Sequence, residues 1–241
     1  MNNYYDNGYG YDTAIQAENE MTLQRYISGV MRKVYGKMTL GLLLTAVTAF
    51  LMVSSPALLG LLFSSTMTIW ILFALELGLV IYLSARIDKL SNGVATALFY
   101  AYSALNGVAL CPIFLAYTGT SIAMTFTITA GTFGAMTLAG YFTKTDLSKF
   151  GAFMFMALIG LILCTIVNLF LHSPMMDWLL SIAGVLIFTG LTAWDTQYIK
   201  RMTAEADGSM VSKVATMGAL RLYLDFINLF LHLLRLLGNR S

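Results

Sequence analysis

Charged residues are scarce in this sequence and are absent from long stretches of it. Only 11% of the 241 residues are charged and 58% are hydrophobic, whereas roughly 25% of the residues in an ordinary soluble domain are charged. No Asp, Glu, Lys or Arg occurs within residues 38–75, 93–143 or 150–176. Since about 20 apolar residues cross a bilayer core, the middle stretch alone accommodates two spans. The composition therefore excludes a soluble globular domain and predicts an all-α integral membrane protein.

Cysteine is also scarce. The two cysteines, Cys111 and Cys164, both fall inside apolar stretches. We interpret them as small buried hydrophobic residues, because this placement suits neither a disulfide nor a metal site. The chain opens with a polar segment instead of the apolar core of a cleavable signal peptide, so no secretory leader is expected.

Seven apolar segments predict seven membrane-spanning helices. Residues 1–22 are predicted to form a disordered, polar, cytoplasmic tail, and residues 23–241 a single transmembrane domain. The apolar piece at 57–63 is assigned to a loop, and a polar turn is expected at 207–209. The predicted spans are residues 38–54, 67–86, 93–116, 120–142, 150–171, 177–199 and 213–237.

The distribution of basic residues predicts which ends of the spans face the cytoplasm. Eleven Lys and Arg residues flank one set of span ends, while the opposing short loops (54–66, 117–119 and 172–176) contain none. Short cytoplasmic loops carry the excess of Lys and Arg in membrane proteins. The N-terminus is therefore predicted to be cytoplasmic and, after seven spans, the C-terminus outside. The eleven residues are Arg25, Arg32, Lys33, Lys37, Arg86, Lys89, Lys144, Lys149, Lys200, Arg201 and Lys213.

Several polar side chains fall inside the predicted spans. An ionised side chain at the centre of a span costs roughly 2.5–3.5 kcal/mol even on a lenient insertion scale, so such residues are functional candidates that face protein or water. In the last span, five polar residues at spacings of 4, 3, 4 and 3 share one helical face, which predicts that this helix lies inside the bundle. The five are Arg221, Asp225, Asn228, His232 and Arg235. Glu76 and Asp195 are the charged candidates in earlier spans.

Asp195 and Asp225 are equidistant from the turn predicted between the last two spans, at residue 210. If both helices run to this turn, the two carboxyl groups lie at similar depth, toward the cytoplasmic side. Two carboxylates this close in a medium of low dielectric constant would share a proton and titrate as a coupled pair. Such a pair can sense pH. In its deprotonated form it offers oxygen ligands suited to Ca²⁺, so both aspartates are candidate Ca²⁺ ligands.

Structural explanations compete with functional ones for some of these charges. Arg221 and Asp225 stand at positions i and i+4 and can simply neutralise each other within one helix. Glu76 can pair with Arg235 or Arg221 as a structural clamp between spans. Under either explanation the charges stabilise the bundle and have no part in ion passage.

Two further candidates also have simple explanations. His232 is expected to complete a hydrogen-bond network, since no second His or Cys lies near it to form a metal site. Arg86 is expected to determine topology, with the alternative that it turns toward the two aspartates from the cytoplasmic end of its span. Nothing in the sequence points to a tightly bound cofactor or to a nucleic-acid partner.

Several motifs are shared with a known family. The longest is Leu222-Tyr-Leu-Asp225-Phe-Ile-Asn228-Leu-Phe-Leu-His-Leu-Leu-Arg235, preceded by Gly190-Leu-Thr-Ala-Trp-Asp195-Thr-Gln. Others are Val34-Tyr-Gly-Lys-Met-Thr-Leu-Gly-Leu, Phe133-Gly-Ala-Met-Thr and Lys144-Thr-Asp-Leu-Ser. Together they resemble the transmembrane Bax inhibitor motif family (Bax inhibitor-1-like), in particular its bacterial inner-membrane members. The resemblance covers nearly the whole chain from about residue 30.

The resemblance implies both a fold and a function. The implied fold is a bundle of seven helices in which the last is central and the other six surround it. The implied function is a pH-sensitive calcium leak governed by two aspartates, which correspond to Asp195 and Asp225. The family's arginine near the cytoplasmic end of the second helix corresponds to Arg86.

Three functions stay open at this point. The first is a pH-sensitive calcium leak channel, not an enzyme, in a bacterial inner membrane, with Ca²⁺ as the permeant ion and the lipid bilayer around it. The second is a membrane-embedded modulator that binds a protease or a stress-response partner. The third is an intramembrane aspartyl protease, in which two aspartates supply base and acid. Against the third, Asp225 follows Leu222-Tyr-Leu in place of Gly-x-Gly, and no proline follows Pro174.

Overall fold

The computed structural model describes residues 8–206 and 210–240, with side chains from residue 18 onward. This part of the chain forms eight α-helices and a 3-10 turn at Ile87–Lys89, and seven of the helices are long and apolar enough to cross a membrane. The predicted all-α membrane fold is confirmed. The helices are α1 (Gly8–Ser54), α2 (Pro56–Leu62), α3 (Thr66–Arg86), α4 (Asn92–Ala116), α5 (Gly119–Phe142), α6 (Ser148–Leu171), α7 (Pro174–Glu205) and α8 (Val211–Leu237).

The first span belongs to a helix that is longer than predicted. The sequence predicts a disordered tail over residues 1–22, but the backbone is helical from Gly8, and residues 1–7 lie outside the described part. Once a span is helical, each residue added in front of it gains a hydrogen bond without the cost of a new nucleus. The predicted loop at 57–63 instead contains the short helix α2. The predicted turn at 207–209 lies outside the described residues.

Serine and threonine side chains fix where most helices begin. In five helices the residue before the first turn accepts a hydrogen bond, through its side-chain oxygen, from a backbone N–H of that turn. These caps satisfy donors that have no partner within the helix. The capping residues are Ser55 (α2), Ser65 (α3), Ser91 (α4), Thr118 (α5) and Ser173 (α7). In α2 and α7 a proline occupies the first position, where its missing N–H leaves no bond unmade.

The start of α6 is held by Asp146 in the preceding loop. Oδ1 of Asp146 accepts hydrogen bonds from the backbone N–H of Ser148 at 3.0 Å and from its hydroxyl at 2.7 Å, and it pairs with Arg201 of α7 at 3.0 Å. The hydrogen bonds from Ser148, together with the Arg201 guanidinium, lower the pKa of the Asp146 carboxyl below its ordinary value. Gln197 adds two hydrogen bonds of 2.8 Å to the backbone of the same loop. The α5–α6 loop is therefore tied to α7.

The last helix, α8, lies at the centre of the bundle. In the apolar 18-residue stretch of α8, 72% of the residues are buried inside the protein, whereas the corresponding share in the other six spans is 6–39%. It packs against α1, α4, α5 and α7, whereas α3 packs on α4 and α6 on α7 at the periphery. Many exposed side chains of the peripheral helices are large and apolar, as contact with lipid requires. The predicted central position of the last span is confirmed.

Two glycines allow neighbouring helices to approach α7 closely. A Cβ atom at Gly140 of α5 would overlap with the backbone of Ala193, and a Cβ at Gly151 of α6 would overlap with the indole ring of Trp194. Small residues permit this kind of close backbone packing between helices in membranes. Both contacts lie on α7 next to Asp195, so glycine packing positions the segment that carries this aspartate.

The prediction for the cysteines is correct for one residue and wrong for the other. Cys111 is buried, in a small cluster with Met52 and Leu62. Cys164 is exposed, because α6 packs mainly on α7 and turns much of its surface outward. In a bilayer this surface contacts lipid, an apolar surrounding that suits a free thiol as well as a protein core does.

Candidate functional site

Asp195 of α7 and Asp225 of α8 lie side by side in the interior of the bundle. At a rise of about 1.5 Å per residue, Asp195 is about 15 Å from the end of α7 at Glu205, and Asp225 about 21 Å from the start of α8 at Val211. Only 6% and 4% of their surfaces are exposed. Their carboxyl groups are close enough to interact with each other, so the two helices place both acids in one buried site.

Arg221 and Tyr198 complete this site. Nη1 of Arg221 donates a hydrogen bond to Oδ1 of Asp195 at 2.9 Å, which makes an ion pair between α8 and α7. The guanidinium carbon lies 4.7 Å from the centroid of the Tyr198 ring, a distance suited to a cation–π contact. We call these four residues, Asp195, Tyr198, Arg221 and Asp225, the aspartate cluster.

The charges of the aspartate cluster do not balance if both acids ionise. Two carboxyl groups share one guanidinium, and that guanidinium is bonded to Asp195. Within the described part of the chain, Oδ2 of Asp225 is buried without a hydrogen-bond partner, as is Nε of Arg221. An uncompensated charge in such a place is unfavourable. One proton shared between the two carboxyl groups would remove the excess negative charge. A cation that enters from outside would compensate the same charge.

Three polar side chains close in sequence to the two aspartates are bonded to their own helices. The hydroxyls of Thr192 and Thr196 donate to backbone carbonyls four residues earlier, at 2.7 and 2.8 Å. The amide of Asn228 likewise donates to the carbonyl of Leu224 at 2.8 Å. No group of three or more His, Cys, Asp or Glu side chains gathers into a metal site within the described residues. Ca²⁺ takes six to eight oxygen ligands, so at this cluster it would keep several water molecules.

Comparison with known proteins places the chain in a family. A family model described as "Inhibitor of apoptosis-promoting Bax1" matches residues 27–241, a range that includes the whole aspartate cluster. The chain belongs to the Bax inhibitor family. This confirms the family that the sequence motifs predict. The E. coli relative described next is named an inner membrane protein, in agreement with the seven long apolar helices.

Bacterial relatives match over nearly their full length. The inner membrane protein YbhL of Escherichia coli K12 is 53% identical over 213 residues, which cover 87% of this chain and 91% of the relative. An uncharacterised protein of Borreliella burgdorferi is 46% identical over 212 residues, again 87% and 91%. An uncharacterised protein of Rickettsia prowazekii is 46% identical over 219 residues, 90% of this chain and 91% of the relative.

Two arginines of this Bax inhibitor family member behave differently from one another. The sequence allows Arg221 to neutralise Asp225 within α8, but its ion pair is with Asp195. The cross-helix bond compensates Asp195, and Asp225 forms no ion pair among the described residues. Arg86 is exposed at the end of α3 and forms no hydrogen bond or ion pair with either aspartate in the described part of the chain. Its predicted correspondence to the family's arginine therefore has no contact to support it here.

Glu76 lies apart from the aspartate cluster. The prediction that it pairs with Arg221 or Arg235 is wrong, because neither of these arginines of α8 forms an ion pair with it among the described residues, and α3 packs mainly on α4. Tyr102 of α4 and Tyr223 of α8 are close enough to interact with it electrostatically. Its Oε1 atom is buried without a partner among the described residues. Glu76 is therefore a second intramembrane acid in a different part of the bundle.

The remaining predicted residues of α8 meet other surroundings. The ring of His232 stacks on Phe188 of α7, with centroids 5.8 Å apart, and fits against Gly184, where a Cβ atom would overlap with it. The predicted hydrogen-bond network at His232 is not formed, since its Nδ1 atom has no partner among the described residues. Arg235 lies in the last turn of α8, where it lines a cavity with Asp177. The polar residues of α8 therefore do not form one continuous site, because His232 and Arg235 contact other surroundings than Arg221 and Asp225 do.

Two contact-making residues are missing from the sequence-based candidates. Tyr198 follows Asp195 by three positions, a helical spacing that places both on one face and that would have indicated it. Lys37 is classified from the sequence only as a topology determinant. Its Nζ atom donates hydrogen bonds of 2.6 Å to the hydroxyls of Thr96 and Thr216, which joins α1 to α4 and α8. No sequence signal identifies these two threonines as its partners.

Proposed function

We propose that this protein is a pH-sensitive calcium leak of a bacterial inner membrane, gated by the pair of Asp195 and Asp225. The observation that carries the proposal is the charge imbalance of the aspartate cluster, in which two buried acids share a single guanidinium. Ionisable groups inside membrane proteins are rare, and they mark ion pathways and proton relays. Membership of the Bax inhibitor family and the inner-membrane relative of E. coli agree with a role in the membrane.

In the closed state the cluster holds α7 and α8 together. Arg221 of α8 bonds to Asp195 of α7 at 2.9 Å, and a proton lies between Asp195 and Asp225. The cluster is then neutral, which suits its burial. The two helices also pack along much of their length around it, so no ion passes.

Loss of the shared proton opens the pathway. Both carboxylates then carry charge and repel each other at close range in a medium of low dielectric constant. Separation of the two helices relieves the repulsion and admits water, and Ca²⁺ compensates the two negative charges better than a single guanidinium does. Arg221 leaves Asp195 in this step, and the Tyr198 ring at 4.7 Å keeps it close to the cluster.

This mechanism fixes the sign of the pH dependence. Low pH keeps the proton on the pair and the leak closed, and rising pH removes the proton and opens it. For the purified full chain in vesicles loaded with a Ca²⁺ indicator, we expect Ca²⁺ entry to increase about tenfold or more between about pH 5 and about pH 8, because tenfold corresponds to only about 1.4 kcal/mol.

The measurement needs two controls. Vesicles without protein give the background rate at each pH, and an ionophore added at the end gives the maximal signal. Ca²⁺ entry at the background rate throughout the pH range would contradict the proposal and would leave the binding of a membrane partner as the alternative function. Entry that decreases as pH rises would contradict the assigned sign.

A further inference from the structure

A polar cavity lies at the C-terminal end of α8, on the predicted outer face of the membrane. It has a volume of about 530 Å³ and is bordered by the end of α6, the start of α7 and the end of α8. Its polar lining includes Asn168, His172, Asp177, Ser181, Arg235 and Arg240. Along α8, Arg235 of this cavity follows Asp225 of the aspartate cluster by ten residues. The proposed calcium pathway does not account for the residues of the cavity.

The charge of this cavity is unbalanced in the positive direction. Arg235 and Arg240 both line it, and neither forms an ion pair with a carboxylate within the described residues. Asp177 is the single acid in the lining, and its Oδ1 atom accepts a hydrogen bond of 2.7 Å from the side-chain amide of Asn168. Two arginines without a carboxylate partner among the described residues therefore line the cavity.

The two arginines reach the cavity from different elements, and each is held in place. Arg235 lies in the last turn of α8. Arg240 follows the helix, in a segment that is fastened to the α4–α5 connection. There Thr118 donates its backbone N–H to the carbonyl of Asn239 at 3.2 Å, and the backbone of Arg240 pairs with that of Tyr117. This attachment turns the segment back over the cavity and places Arg240 beside it.

One wall of the cavity is apolar and exposed. Leu169 and Trp178 line it while 64% and 53% of their surfaces are exposed. In a membrane, large apolar side chains with this exposure contact acyl chains, and tryptophan concentrates at the level of the headgroups. The cavity therefore offers guanidinium groups next to a surface on which a hydrocarbon chain can lie.

We propose that this cavity binds a phosphate group, and that Arg235 and Arg240 are its ligands. Guanidinium donors match phosphate oxygens in paired hydrogen bonds, which a lysine does not reproduce. The phosphate belongs either to the headgroup of an anionic phospholipid or to free inorganic phosphate, and both sources present the same oxygens to the same donors. The apolar wall formed by Leu169 and Trp178 favours the lipid as the source.

Binding to the purified full chain in detergent micelles tests the proposal. The probes are inorganic phosphate, short-chain phosphatidylglycerol, and a phosphate-free glycolipid with the same chains. The variants are Arg235→Gln, Arg240→Gln and both together, with Arg32→Gln as the matched control, because Arg32 is an exposed arginine on α1 outside this cavity. Since Arg235 and Arg240 are themselves exposed, the thermal unfolding midpoints without probe should match the wild type.

The outcomes separate the two sources. Binding of phosphatidylglycerol but not phosphate identifies a lipid headgroup, and binding of both identifies phosphate itself. In each case we expect the double variant to bind at least about tenfold more weakly, since two hydrogen-bonded charges are lost, while Arg32→Gln binds like the wild type. No binding of either phosphate compound, equal binding of the glycolipid, or unchanged affinity in the double variant would overturn the proposal.

Discussion

Replacing Asp225 with Asn is expected to abolish the pH dependence of Ca²⁺ flux and to hold the flux at its low-pH level. Asn keeps the size of the side chain but carries no titratable proton. Asp195 stays paired with Arg221 at 2.9 Å, so the cluster is neutral at every pH and the repulsion that opens the interface never develops. At about pH 8 we expect flux about tenfold or more below that of the wild type, measured in the same Ca²⁺ indicator vesicles.

The matched control for this variant is Asp88→Asn, and Asp195→Asn tests the other member of the pair. Asp88 lies in the exposed 3-10 turn after α3, so its replacement should leave the flux profile of the wild type unchanged. Asp195→Asn removes the other member of the pair and should also lose the pH dependence, because neither acid can then share a proton with the other. A wild-type rise of flux with pH in Asp225→Asn would mean that the gate is elsewhere, with Glu76 as the next acid to replace.

Replacing Gly140 with Val is expected to cause the largest loss of stability. The new side chain would overlap with the backbone of Ala193, and a backbone cannot turn away as a side chain does. Overfilling a packed contact costs about 1–3 kcal/mol and occasionally more, so α5 must move away from α7 beside Asp195. We expect a clear decrease in the thermal unfolding midpoint of the purified protein, and a poor yield of folded protein.

Gly131→Val on the same helix isolates this effect. A Cβ atom at Gly131 has no heavy atom within 4 Å, so valine there changes helix propensity by the same amount without the overlap. We expect its unfolding midpoint to stay close to that of the wild type. Equal midpoints for the two variants would mean that α5 and α7 do not pack as closely as described.

The overall fold follows from features that the sequence carries openly. The absence of charge from residues 38–75, 93–143 and 150–176 is enough to predict the spans, because an ionised side chain is costly in lipid. The polar face of the last span predicts its central position, which the burial of α8 confirms. The equal distance of Asp195 and Asp225 from residue 210 predicts their similar depth. The periodicity of polar residues and their position along the chain are therefore enough to predict the spans, the central helix and the depth of the two aspartates.

The partners of the charged residues are not predictable in the same way. Periodicity places Arg221 near both aspartates, but its choice of Asp195 depends on how α7 and α8 are rotated about their axes. Glu76 has a suitable depth for an ion pair, yet α3 lies at the edge of the bundle, and no arginine in the described part of the chain pairs with Glu76. Lys37 bonds to threonines of two other helices. Such contacts depend on the three-dimensional order of the helices, which a single sequence does not specify.

The sequence does not predict which individual residues of the spans are exposed either. Cys111 and Cys164 both stand in apolar sequence, but one is buried and the other faces outward. In a soluble protein the polar residues mark the outer face of a helix, whereas lipid and protein interior both accept apolar side chains. The outward face of α6 is therefore not recognisable from its composition.

Infrared spectroscopy of the carboxyl groups tests the shared proton most directly. A protonated carboxyl group gives a C=O stretching band that a carboxylate lacks, and the difference between wild type and Asp225→Asn removes the contribution of Glu76. In reconstituted vesicles, we expect this difference band at low pH and its loss as pH rises, with the same midpoint as the increase in Ca²⁺ flux. A difference band that is absent at every pH, or whose midpoint departs from that of the flux, would contradict gating by the aspartate pair.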